Sequence, residues 1–188
     1  MRRWRLIHKE QEGITLVELL LAIVLVGMIS LGITMGISQV LIINARASNH
    51  MIAVRQVQQA GDRLSKDVLQ AQNVTPPTGE NGLLLTLAWQ DLEGTVNEVV
   101  YTLEEMPSPL DPNPLRVLER KHTINGDSST TIIARYLHPD DTKVVPGEDG
   151  RKLVFTVTAI VGNGPQQAVE TRVYEVEPRP TPTGGQDG

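Results

Sequence analysis

Between Ile14 and Ile43 the chain runs for 30 residues with a single charged side chain, Glu18. A helix needs about 20 apolar residues to cross a bilayer, so this run is long enough to span one. It also exceeds the roughly 7–15-residue core of a secretory signal, and no A-x-A site closes it. The run therefore reads as an anchor that stays in the mature chain. Arg2, Arg3, Arg5 and Lys9, set against Glu10 and Glu12, precede it, and the next base beyond it is Arg46. That asymmetry predicts a single-pass protein of the cytoplasmic membrane, with residues 1–13 in the cytoplasm and the remainder exported.

Glu18 breaks the apolar pattern. A carboxylate at that depth is costly, and intramembrane acids are usually paired or functional. On this residue alone two readings stand: a side chain tolerated among the headgroups, or one with a role. The surrounding residues Glu12-Gly13-Ile14-Thr15-Leu16-Val17-Glu18-Leu19-Leu20 resemble the leader junction of type IV prepilins and type II secretion pseudopilins. The resemblance implies that prepilin peptidase cuts between Gly13 and Ile14 and then N-methylates Ile14. It also makes Glu18 the family's glutamate at mature position five. The family's first mature residue is usually Phe or Met, and here it is Ile. Cleavage would leave a positive amine at Ile14 in or near the membrane. A Glu18 carboxylate on a neighbouring subunit would neutralise it, making two charges tolerable together that are costly apart. Such a pair would set axial register as a subunit enters a filament.

All 12 prolines lie at or after Pro76. Proline costs an interior helix about 3 kcal/mol, so the distribution predicts one long N-terminal helix, from Ile14 to about Gln72. The boundary falls near Thr75-Pro76-Pro77. At 1.5 Å per residue such a helix is roughly 90 Å long. Its second half carries an apolar stripe, Ala47, Val54, Val57, Gly61, Leu64, Val68 and Ala71, at helical spacing. Arg55, Gln56, Gln58, Gln59, Asp62, Arg63, Lys66 and Asp67 fall between as a solvated face. Gly32 and Gly36 form a G-x-x-x-G pair within the apolar run. Local loosening of the Gly27–Gly36 stretch on packing is expected there, rather than tight dimerisation.

After Pro77 the pattern turns to short β-type segments: 82–89, 95–103, 115–122, 130–137, 151–161 and 168–176. Asn125-Gly126 is a hairpin signal between the third and fourth, and Gly162-Asn163-Gly164-Pro165 turns the last two. The expected class is α+β, a long helix on mainly antiparallel sheet, which is the pilin fold the resemblance implies. The organisation is then leader 1–13, membrane or filament-core helix 14–43, amphipathic helix 44–75, β-rich head 76–177 and a disordered tail 178–188. Arg63-Leu64-Ser65-Lys66-Asp67-Val68, Val100-Tyr101-Thr102-Leu103 and the Leu115–Arg120 stretch also resemble J-type pseudopilins and minor pilins, more loosely. A K-type tip subunit typically lacks the glutamate present here.

No cysteine is present, which excludes disulfides, Cys–zinc sites and thiol catalysis. His8, His50, His122 and His138 lack metal-ligand spacing, so no metal site is assigned. The acidic stretch from His138 to Gly150 does not follow an EF-hand pattern and reads as solvated turns. Asn73-Val74-Thr75 fits a glycosylation sequon, a tripeptide common by chance. No catalytic triad, phosphate loop or carboxylate pair stands out, so neither an enzyme nor a cofactor is expected. The formal net charge is −5; a leader with four bases and two acids takes the mature chain to −7, against direct nucleic-acid binding. The expected partners are prepilin peptidase, the inner membrane, and other pilins or pseudopilins in a hetero-oligomeric filament of the envelope or cell surface. A minor subunit that initiates or caps that filament is the favoured role. The alternative is an uncleaved, single-span anchored binding domain with Glu18 incidental.

Overall fold

A computed structural model describes residues 15–76, 82–106, 114–147 and 152–179. The chain parts into two compact units, Met1–Ile43 and Asn44–Gly188. One helix, α1 (Leu16–Gln70), supplies the described part of the first unit and opens the second. Strands β1 (Asn73–Thr75), β2 (Leu83–Gln90), β3 (Val96–Glu105), β4 (Arg116–Ile124), β5 (Asp127–Leu137), β6 (Lys143–Pro146), β7 (Leu153–Val161) and β8 (Ala168–Val176) follow. The architecture is α+β, as the sequence predicts.

In the first unit α1 is long and apolar enough to cross a membrane, and its apolar window is wholly exposed. Leu20, Ile23, Val26, Leu31 and Ile37 all project outward. The hydroxyls in this stretch bond within the helix. Ser30 donates to the Val26 carbonyl at 2.8 Å, Thr34 to Ser30 at 2.9 Å and Ser38 to Thr34 at 2.9 Å. Such bonds one turn back satisfy a hydroxyl that has no water to meet. The helix is unbroken through Gly27, Gly32 and Gly36.

In the second unit α1 lays one face on the sheet. Ala53, Val57, Ala60, Leu64 and Val68 are fully buried against Leu85, Leu87, Val99, Tyr101, Leu118, Phe155 and Val157. Each buried Val, Leu or Phe stabilises the fold by about 1.5–3 kcal/mol. The face differs from the expected stripe. Ala47 is exposed and Val54 half-buried, while Ala53, Ala60 and Asp67 are inside. Gly61 is required by close approach: a Cβ there would lie 2.1 Å from the Tyr174 ring, whose hydroxyl donates to the Val57 carbonyl at 3.2 Å.

The helix ends at Gln70, short of the prolines. Gln72 N donates to the Ala88 carbonyl, and Asn73–Thr75 pair with β2, so the chain has already become strand before Pro76. All strand pairs are antiparallel, in the order β1-β2-β3-β4-β5-β7-β6 with β8 on β7. β7 and β5 share one pair, Leu137↔Ala159. Asn125 (φ 49°) and Gly126 (φ 99°) form the two-residue turn of the β4–β5 hairpin, where both central residues need positive φ. The register of that hairpin shifts twice near Leu118, and Tyr136 takes φ 62° opposite the irregularity. The backbone N–H of neighbouring Arg135 finds Gln56 Oε1 of α1 at 2.7 Å.

Candidate assembly site

The sequence assigns three residues to processing and assembly: Gly13, Ile14 and Glu18. Gly13 and Ile14 lie outside the described residues, as does most of the tail, from residue 180. Glu18 stands in the first turn of α1 and is exposed. Thr15 caps this turn: its Oγ1 accepts from Glu18 N at 3.3 Å, and its carbonyl accepts from Leu19 N at 3.1 Å. The pattern Thr15-x-x-Glu18 is the sequence signature of a capping box, a signal in the motif that the sequence reading passed over. An acid in the first turn is also favoured by the partial positive charge of the helix N-terminus. Among the described residues no ion pair or hydrogen bond engages the Glu18 carboxylate. Leu16, Val17, Leu19, Leu20 and Leu21 flank it in sequence, all exposed. The local arrangement is thus a fixed helix start displaying one carboxylate among apolar neighbours in sequence.

The second feature is buried, and sequence reasoning misplaced it. Asp67, expected on the solvated face, is 3 % exposed, and Arg120 of β4 is 7 % exposed. Arg120 Nε donates to Asp67 Oδ2 at 2.6 Å and its Nη2 to Oδ1 at 3.3 Å. The Tyr101 hydroxyl of β3 donates to Oδ2 as well. Arg63 Nε, one helical turn before, lies 3.7 Å from Oδ2. Burial, then the hydrogen bond to Asp67 and the charge of Asp67, push the Tyr101 hydroxyl well above its ordinary pKa. Burial alone would lower Arg120, but the hydrogen bonds and charge of Asp67 more than offset it and the guanidinium is held up. Asp67 gains a bidentate partner and a hydroxyl 53 and 34 residues away in sequence, contacts that helix periodicity cannot report. The cluster pins the helix face to β3 and β4.

Two histidines, His122 and His138, lie against groups of their own fold. His122 Nε2 is 3.0 Å from Asn97 Oδ1, and its ring stacks on Trp89 at 5.8 Å. Burial, followed by the positive charge of Arg120, pushes His122 below its ordinary pKa. His138 Nδ1 is 3.0 Å from Asp141 Oδ2 but off line for a hydrogen bond. Part of the acidic stretch expected to be turns is strand β6, paired with β7, because Val144 has a core to enter. Residues 148–150 lie outside the described residues. Among the described residues no three His, Asp or Glu side chains gather as a metal-binding group.

Comparison with known families matches residues 8–34 to the prokaryotic N-terminal methylation motif. No curated protein and no solved structure matches the chain. The match spans the leader junction, Thr15, Glu18 and 21 of the 30 residues of the apolar run, the stretch in which α1 begins. The motif covers 27 of the 188 residues, and together with a long apolar helix leading into an antiparallel sheet it supports the type IV pilin and pseudopilin family for this chain.

Proposed function

We propose that the protein is a minor pilin or pseudopilin, a non-enzymatic subunit that helps initiate or cap an envelope filament. In this reading prepilin peptidase removes residues 1–13, Ile14 becomes the N-methylated first residue, and Glu18 sets axial register. The observation that carries it is the lone, exposed carboxylate of Glu18, in a first helical turn that Thr15 caps and among exposed apolar neighbours in sequence. In an apolar surrounding such a charge needs an opposite one, and the amine that cleavage creates lies four residues away in sequence and on every neighbouring copy. The head is exported from the cytoplasmic membrane, and the mature net charge of −7 sets it apart from direct nucleic-acid binders.

Intact mass and N-terminal peptide spectrometry, with and without the cognate peptidase, test the first half. Loss of residues 1–13 with one added methyl on Ile14, only when peptidase is present, is expected. An intact leader beside an active peptidase would instead favour a single-span anchored binding domain. Glu18→Ala tests the second half: the variant should remain processed and in the membrane yet fail to enter filaments. Normal incorporation of that variant would falsify the register role.

A further inference from the structure

A cleft of about 520 Å³ opens where the end of α1 meets the β2–β3 hairpin, walled by Leu69, Gln70, Trp89, Gln90, Leu92 and Arg179. Its walls combine one aromatic ring, Trp89, with amides and apolar side chains. Leu69 and Leu92 are exposed, Leu92 completely. Gln90 Nε2 donates to the Gly94 carbonyl at 2.9 Å, and a primary amide carries a second N–H. An aromatic wall beside N–H donors suits an extended proline-containing segment, whose rings stack flat and whose carbonyls lack partners of their own.

The chain leads such a segment to this cleft. After β8 ends at Val176, Pro178 is half-buried and Arg179 is itself part of the cleft wall. The next residues are Pro180-Thr181-Pro182-Thr183, which continue the alternation begun at Pro178. Four residues in a polyproline conformation extend about 12 Å, enough to cross a cleft of this size.

We propose that Pro180–Thr183 of the same chain is the ligand of the Trp89 cleft, a segment that any other occupant must displace. Trp89 makes the test direct, because Trp4 is the sole other tryptophan. The full chain carrying Trp4→Phe, in detergent, is compared with the same chain ending at Arg179 and with its Pro180→Ala/Pro182→Ala variant. Both changes should shift Trp89 emission to longer wavelength and raise its quenching by acrylamide, with circular dichroism unchanged. A synthetic peptide of residues 180–188 should reverse the shift in the shortened chain, saturating on the order of millimolar, the effective concentration of a short tether. The proposal is overturned if shortening leaves emission and quenching as they were, if the proline variant behaves as its parent, or if the peptide has no effect. Quenching that depends on protein concentration would assign the cleft to a second copy and overturn it equally.

Discussion

Asp67 shows how much one side chain decides. Removing one partner from a buried ion pair strands the other charge and costs about 3–5 kcal/mol. Asp67→Asn or Arg120→Met should therefore lower the stability of the second unit by that amount in urea unfolding. Replacing Asp67, Arg120 and Tyr101 together by Leu, Met and Phe should recover most of the loss; equal loss in the triple variant would contradict this account. Tyr101 adds a pH signature. Its folded pKa is raised, so its contribution is fully present below the unfolded value of about 10 and is lost as pH rises above it. Stability should fall in that alkaline window, less steeply in Tyr101→Phe. Of these three residues the sequence reading placed Tyr101 and Arg120 in strands but gave Asp67 to solvent. A charge between apolar helix positions looks solvated unless its distant partner is known. Glu18 stands out in the sequence for the opposite reason, because it interrupts an otherwise uniform local pattern.

Elements repeat this division between local and distant causes. The six β segments expected after Pro77 all appear, within a few residues, since β-branched runs and turn residues are local signals. The Asn125-Gly126 turn was equally legible. β1 and β6, three and four residues long, were missed because pairing creates them: Asn73–Thr75 on β2, and Lys143–Pro146 on β7. The early end of α1 has the same origin. Gly61 looked like a small member of an apolar stripe, and only the fold shows what it makes room for. Gly61→Ala gains about 1 kcal/mol of helix propensity but drives a Cβ into the Tyr174 ring. Overpacking of this kind costs typically 1–3 kcal/mol, so thermal unfolding should show a net loss. In a Tyr174→Ala background the sign should reverse, and Gly61→Ala should stabilise. Loss in both backgrounds would mean that Tyr174 is not the obstacle.

At the scale of the whole molecule, the two units divide the chemistry of solubility. Every buried hydrophobic residue among those described lies at or beyond Ala53, while the largely apolar stretch from Leu16 to Leu41 is exposed. A chain beginning at Asn44 should stay in aqueous solution and unfold cooperatively, whereas the full chain should need detergent. Aggregation of the shortened chain with no cooperative transition would show that residues before Asn44 complete the core. The hydroxyls of Ser30, Thr34 and Ser38 bear on what happens if the apolar helix changes surroundings. Because each is already bonded to its own helix, moving from lipid tails to apolar protein breaks no hydrogen bond and makes none. To the environment the stretch behaves as a hydrocarbon rod whose polar atoms travel with it. The one charged group in that stretch, whose energy depends most on the destination, is the Glu18 carboxylate, and on the proposed register role a subunit would sense arrival beside a matching charge there.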